Sequence, residues 1–292
     1  MTNKYCFCLS GNLGAVVLQD ILTNHEIKIQ VVLTDRKSEE IIAITSNNSI
    51  PVYAGNPRNG RASLFCIEND IHFDFILSVN YLFILEEDFL NRAKYGINFH
   101  GSLLPKYRGR TPHVWAIING EKEAGITAHL MNAKCDDGDI VKQVRVPIGI
   151  DDTGASILER YNEIYPELVR SVIDDIEKEQ LKPRRQESRK ATYYGKRTPE
   201  DGRINWMWQK ERIRNWVRAQ ANPYPGAFTY VNNKKVVINK IEYSDYGFTD
   251  TMSNGRVLAI VDGDPIIKTQ NGAIRLLDYE SEIEINAGET LI

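Results

Sequence analysis

The rhythm of hydrophobic and polar positions shifts from one end of the chain to the other. "YCFCLS" at 5–10 reads as a strand, "SGNLG" at 10–14 as a turn, and "AVVLQDILTN" carries apolar residues at helical spacing. "IKIQVVLTD" then returns as a β-branched strand. "FDFILSVN" is a near-continuous apolar run ending in Asn80, the pattern of a strand covered on both faces, and "KYGINFH" is another short strand closing on His100. Strands alternating with helices predict an α/β domain built on a Rossmann-like, doubly wound, mostly parallel sheet. Ligands of such sheets collect beyond the carboxyl ends of the strands, where Asn80, Asn98 and His100 should fall.

Two more strand candidates follow, "AGITAHLM" and "DIVKQVRVPI", separated by the polar loop "NAKCDDG". Residues 152–181 then give the clearest helical period, with Ile157, Tyr161, Ile164, Leu168, Val172 and Ile176 on one face. Asp152 or Thr153 can cap its start, and Pro166 predicts a kink or a break. Past "KPRRQESRKATYYGKRTPEDGR", which is basic and weakly periodic, "EDGRINWMWQKERIRNWVRAQ" reads as one more helix. After "NPYPGA" the pattern breaks into short strands and turns, a small β-barrel of the OB-like kind. The expected organisation is a Rossmann-like domain over 1–185, a linker over 186–203, and a C-terminal domain over 204–292 with one helix and a barrel.

Composition narrows the function classes. The 292 residues are 42% hydrophobic and 26% charged, enough for a substantial core. A net charge of −3 argues against a dedicated nucleic-acid or membrane-surface binder. Cys6, Cys8, Cys66 and Cys135 form no CxxC pair, and Cys6 and Cys8 read as small buried side chains rather than metal ligands. The N-terminal segment lacks the features of a signal peptide, and no apolar run reaches the length of a membrane span. A cytoplasmic setting is the expectation.

Four groups of residues are candidates for chemistry. Gly11 and Gly14 give GxxG rather than GxGxxG, with Asp35 the nearest acid for a ribose, so a plain strand-to-helix turn outweighs dinucleotide binding. Asn98 and His100 lie two apart on a strand and so share a face. Such a pair can stabilise an oxyanion and move a proton, although a structural histidine fits the same pattern. Asp136, Asp137 and Asp139 hold only a fragment of a calcium loop, so no metal is expected; one carboxylate aligning His100 is the better use, the others being solvated or turn-forming. Lys106, Arg108 and Arg110 either contact an anionic group or line a solvated loop. Ser102 lacks a nucleophile elbow, which sets serine hydrolysis aside.

Joined together, these motifs resemble a known family. "NFHGSLLPKYRGRTPHVWAIINGEKEAGITAHLMNAKCDDGDIVKQ" is similar to the formyltransferases that use N10-formyltetrahydrofolate. "ATYYGKRTPEDGRINW" and "RAQANPYPGAFTYV" are similar to the domain junction of the two-domain members. The resemblance implies Asn98 as oxyanion stabiliser, His100 as proton-transferring residue and Asp136 as the essential aspartate. It implies that Leu82, Phe83 and Ile84, the loop Asn132, Ala133, Lys134 and Cys135, and Arg110 hold the folate. It places Asn12 and Asn80 near the acceptor, with Tyr224 either stacking on a nucleotide base or packing at the junction.

Two features bear on the acceptor. Gly101 stands where the tRNA and glycinamide enzymes of the family carry proline, as in enzymes acting on 4-amino sugar nucleotides. Residues 204–292 hold ten Lys/Arg and eleven Asp/Glu, a net of −1, unsuited to a tRNA arm. The resemblance thus implies formyl transfer to a nucleotide-linked amino sugar, such as dTDP-4-amino-4,6-dideoxyglucose, for surface polysaccharide (O-antigen) synthesis by a homodimer. A methionyl-tRNA formyltransferase, a formyl-tetrahydrofolate hydrolase and a non-catalytic sugar-nucleotide or folate binding module remain the alternatives.

Overall fold

The structure is a computed structural model that describes residues 3–292. In chain order its elements are β1 (Lys4–Leu9), α1 (Gly11–Asn24), β2 (Lys28–Thr34), α2 (Glu39–Asn47), β3 (Val52–Ala54), α3 (Arg61–Glu68), β4 (Phe75–Val79), α4 (Glu87–Leu90), β5 (Tyr95–His100) and β6 (Arg108–Gly109). They continue with α5 (Pro112–Ile118), β7 (Glu123–Leu130), β8 (Ile140–Pro147), α6 (Gly154–Glu177), β9 (Tyr193–Tyr194) and α7 (Lys210–Ala219). The last strands are β10 (Ala227–Val231), β11 (Lys234–Ser244), β12 (Val257–Val261), β13 (Asp264–Thr269) and β14 (Gly272–Ser281).

Two compact units result. The first comprises Met1–Gly109, Gly125–Val146 and Arg160–Tyr194; the second comprises Arg110–Ala124, Pro147–Glu159 and Gly195–Ile292. The large sheet runs β3-β2-β1-β4-β5-β7-β8. β1 pairs parallel with β2 and β4, and β4 with β5, whereas β7 runs antiparallel to β5. Strands covered on both faces need apolar side chains on both. β4 is accordingly buried along its whole length, and Cys6 and Cys8 of β1 pack with Val31, Leu33, Cys66 and Ile76 in one cluster. Burial, with Cys8 adding to it and Arg92 opposing it, pushes the Cys66 thiol up to about 11, so these cysteines act as small core residues.

The shared register matters for function. Leu9, Val79 and Phe99 are neighbours across β1, β4 and β5, so the chain leaves all three strands at the same carboxyl edge of the sheet. The turn after β1 is shorter than the glycine spacing predicts, because α1 already begins at Gly11, whose φ is +63. Asp35 accepts from the Ser38 hydroxyl (2.6 Å) and the Lys37 N–H (2.9 Å). Ser38 in turn receives the Gly11 N–H (2.8 Å), so the acid braces the start of α1.

α6 does not break at Pro166. Tyr161, Tyr165, Leu168, Val169, Val172 and Ile173 of its inner face are all buried. A mid-helix proline costs about 3 kcal/mol, while each large buried apolar side chain contributes about 1.5–3 kcal/mol. Thr153 caps the helix by accepting the Ser156 N–H (3.1 Å). The helix foreseen at 200–220 shrinks to Lys210–Ala219, because the Ile204 N–H donates to the Phe228 carbonyl (2.8 Å) and holds that segment extended.

In the second unit the small sheet runs β10-β11-β14-β13-β12, its strands antiparallel. The end of the chain joins its two edges. Leu291 donates to Gly255 (2.9 Å), and the Glu289 carbonyl accepts from Val257 (2.8 Å). On the other side Tyr230 and Ile292 exchange both backbone bonds (3.0 and 2.8 Å), so the sheet curls round as the barrel pattern implies.

Candidate active site

The carboxyl edge of β5 gathers the chemistry. Asn98 and His129 are register partners on β5 and β7. His129 Nδ1 lies 2.9 Å from the Leu130 carbonyl, which can only accept, so Nδ1 carries the hydrogen. In the neutral ring Nε2 then accepts from Asn98 Nδ2 at 3.2 Å, whereas in the imidazolium its N–H faces Asp136 Oδ1 at 3.5 Å. This contact fixes which end of the Asn98 amide is nitrogen and leaves the second amide hydrogen to point elsewhere. His129 received no role from the sequence: a histidine in the apolar strand "AGITAHLM" carries no signal until β7 is known to lie beside Asn98.

His100 is buried, 7% exposed. Its Nε2 lies 2.8 Å from the Tyr107 carbonyl and must donate, which leaves Nδ1 open to a proton. Asp136 Oδ2 stands 3.6 Å from that Nδ1, and Asp136 Oδ1 stands 3.5 Å from His129 Nε2. Burial lowers the His100 pKa below its usual 6.5; the Asp136 charge and the Tyr107 carbonyl oppose that, while His129 and Arg108 add to it. Burial would raise the Asp136 carboxyl, but His129, His100 and the Gly109 N–H (2.9 Å) outweigh it and hold the group well below the usual carboxylate range. The site thus holds a neutral imidazole beside a firmly ionised carboxylate.

A braced loop supports this pair. The Ser102 hydroxyl donates to the Lys106 carbonyl (2.7 Å), so it is a loop staple. Tyr107 N donates to Thr192 Oγ1 (2.8 Å), Arg108 N to the Thr192 carbonyl (2.9 Å), and the Tyr107 and Tyr194 rings stack at 5.1 Å. Tyr107 and Asp136, the two residues facing His100, both have positive φ, +61 and +51. Such backbone is held only where its surroundings over-determine it.

Arg108 does not present itself to a ligand. It is 1% exposed, ion-paired with Asp137, and donates to Gln186 Oε1 (2.7 Å) and the Tyr193 hydroxyl. Asp137 is correspondingly more than a solvated or turn-forming acid, because a buried guanidinium needs its charge. Gln186 completes the brace by donating to the carbonyls of Asp136 (2.9 Å) and Gly138 (2.7 Å).

The other sequence candidates divide between the two units. Asn80, with φ +53, donates to the Ser10 carbonyl (3.0 Å), which puts it beside the start of α1, where Asn12 lies, at the same sheet edge. Leu82 and Ile84 are exposed just beyond β4, and Phe83 meets the Tyr81 ring edge-on at 5.5 Å. Asn132, Ala133, Lys134 and Cys135 form an exposed loop in which Asn132 Oδ1 accepts the Lys134 N–H (2.8 Å) and Cys135 Sγ donates to Asp136 Oδ2 (3.2 Å). Arg110 and Tyr224 belong to the second unit, where the Tyr224 hydroxyl meets His113 Nε2 at 2.8 Å. Among the described residues no group of three His, Cys, Asp or Glu side chains is arranged to hold a metal ion, and no helix is long and apolar enough to cross a membrane.

Comparison with known proteins gives the same picture of the fold. Solved structures of similar fold include an N-formyltransferase from Helicobacter canadensis in complex with folinic acid and dTDP-3-aminofucose. It is 20% identical, covers 94% of this chain and 99% of its own, and has a TM-score of 0.73. WlaRD, a sugar 3N-formyl transferase in the presence of dTDP and 5-N-formyl-THF, is 21% identical over 98% of this chain and 100% of its own, with a TM-score of 0.69. The methionyl-tRNA formyltransferase from Clostridium thermocellum is 18% identical over 98% and 100%, with a TM-score of 0.59. The family model described as formyl transferase matches residues 8–173, more than half of the chain, and that of the formyl transferase C-terminal domain matches 196–289. With both models matched, the chain belongs to the formyl transferase family.

Proposed function

We propose that the protein transfers a formyl group from N10-formyltetrahydrofolate to the amino group of a nucleotide-linked sugar. The observation that carries the reading is the cluster of Asn98, His100, His129 and Asp136 at the carboxyl edge of the sheet, within a formyl transferase chain. The exposed apolar side chains of Leu82 and Ile84 and the open loop Asn132–Cys135 suit a flat, amphipathic pterin held through main-chain groups. The folate supplies an activated formyl carbon.

The residues divide the work. As the acceptor nitrogen bonds to the formyl carbon, its carbonyl oxygen gains negative charge, and the free Asn98 amide hydrogen is placed to stabilise it. The nitrogen sheds a proton, which His100 accepts at Nδ1, and Asp136 stabilises the imidazolium. The bond from the formyl carbon to the folate nitrogen then breaks, and the proton leaves with that nitrogen. The 3.6 Å gap between His100 and Asp136 is longer than a hydrogen bond, as is common before substrate binds.

For the acceptor, Gly101 and the −1 charge of residues 204–292 support an amino-sugar nucleotide over tRNA. A dTDP-4-amino-4,6-dideoxy sugar is the reading taken, for surface polysaccharide synthesis in the cytoplasm by a homodimer. Two structural neighbours carry or act on 3-amino sugars, so the position of the amine is the first thing to vary. The test is incubation with N10-formyltetrahydrofolate and a panel of 3- and 4-amino sugar nucleotides. A mass gain of one formyl group on a panel member supports the reading. Formylation of methionyl-tRNA alone, or folate turnover without any acceptor, would overturn it.

A further inference from the structure

Within the second unit, Arg197 lies between two tryptophan rings, its guanidinium carbon 5.0 Å from the centre of Trp115 and 4.4 Å from that of Trp216. Its Nη2 donates to the Asp201 carbonyl (2.8 Å) and to Gln220 Oε1 (2.7 Å). Nη1 is withdrawn from solvent and has no hydrogen-bond partner among the described residues, and the same holds for Gln220 Nε2. Gln220 is only 6% exposed, and its orientation is not in doubt: a guanidinium can only donate, so Oε1 must face it and the amide NH2 must face away.

Two buried donors without acceptors are costly, and one of them belongs to a cation. The nearest acid does not serve it. The Asp201 carboxylate accepts the N–H (2.6 Å) and the hydroxyl (3.1 Å) of Thr198, and offers Arg197 only its backbone carbonyl. Burial accordingly lowers the Arg197 pKa, with Asp201 only partly opposing it.

Arg197 and Gln220 line one cavity of about 120 Å³, together with Thr111, Val114, Thr198 and Tyr224. A dry cavity of about 150 Å³ holds a guest the size of benzene, so this one takes a single small group. Its walls also include Val114, Pro199 and Pro225, so much of the lining is apolar. The two indole rings also hold the guanidinium in place before any ligand arrives, which limits the ordering cost of binding. We propose that this cavity is an oxyanion site, in which Arg197 Nη1 and Gln220 Nε2 together bind one phosphate or carboxylate group. The proposal does not depend on the transfer reaction above.

Free phosphate, the diphosphate of a nucleotide and a glutamate side chain offer the same chemistry, and a titration separates them. The full-length protein, labelled with nitrogen-15, is titrated with inorganic phosphate, dTDP and glutamate while the tryptophan indole N–H signals are followed. Saturable shifts of the Trp115 and Trp216 signals are expected, with Trp206, bonded to Thr229, as the unmoved reference. The ligand that saturates at the lowest concentration names the source. Gln220→Glu is nearly isosteric, pairs with Arg197 and removes the orphan donor, so the fold is retained and the affinity falls at least tenfold, about 1.4 kcal/mol. No saturable response to any of the three, or an equal response in Gln220→Glu, overturns the proposal and leaves the cavity to water.

Discussion

Asn98 has two amide hydrogens, and His129 uses one of them. On the proposed mechanism that makes His129 a positioning residue for the oxyanion donor and separates its loss from the loss of Asn98 itself. Asn98→Ala is expected to lower kcat by about 10²–10³-fold, the usual cost of one oxyanion donor. His129→Leu leaves Asn98 in place but free to turn, and should lower kcat by about tenfold with KM unchanged; a rise in KM alone would show that His129 merely supports the strand. The proton acceptor is tested by pH. His100 must be neutral to act, and burial holds its pKa below 6.5, so kcat/KM should rise with pH below 6.5 and be level above it. Asp136 raises the His100 pKa, so Asp136→Asn should move the midpoint lower still while depressing the plateau. A pH-independent chemical step in the wild type would rule His100 out as the base.

At the scale of elements, the site depends on two short strands, β6 and β9, that pair in parallel. Gly109 sits in this pairing with φ +103, and a Cβ there would lie 2.2 Å from the Tyr194 carbonyl oxygen. Its N–H also donates to Asp136. Gly109→Ala should therefore cost about 1–3 kcal/mol of stability, expose residues 186–194 to protease and slow the reaction, whereas Gly195→Ala, with nothing within 4 Å, should change none of these. Urea unfolding and limited digestion of the two variants side by side make the comparison; equal behaviour would show that β6 and β9 do not support the site. None of this pairing was legible in "KYRGR" and "ATYYGKR", which read as a loop and a linker, because two-residue strands leave no period. The long elements were legible for the opposite reason: β1, β4 and α6 repeat their pattern often enough to outweigh a local signal such as Pro166. Asn98 and His100 could be paired from the sequence because they share one strand. His129, Gln186 and the Arg108–Asp137 pair could not, because each meets its partner only through the tertiary fold.

For the molecule as a whole, pH should act on stability through histidines that fold up uncharged. His113, 8% exposed and bonded to Tyr224, is held by burial at about 4 instead of 6.5. The unfolded chain takes up a proton near pH 6.5 and the folded protein does not, so the stability from neutral His113 is complete above 6.5 and is lost as pH falls towards about 4. At about 1.4 kcal/mol per pH unit, the loss across that window approaches roughly 3 kcal/mol. His100 acts in the same direction, its folded pKa also being lowered. Asp136, held below its usual range, adds its share only at lower pH, where the unfolded carboxylate begins to protonate. The first and second units each carry one of the two histidines, so urea midpoints should fall for both between pH 7 and pH 4.5. In His113→Gln, which keeps a hydrogen-bonding group for Tyr224 but cannot titrate, the decline for the second unit should flatten while that of the first persists. Tryptophan fluorescence follows the second unit alone, since Trp115, Trp206, Trp208 and Trp216 all lie within it. An unchanged slope in that signal would mean that His113 is not what acid attacks.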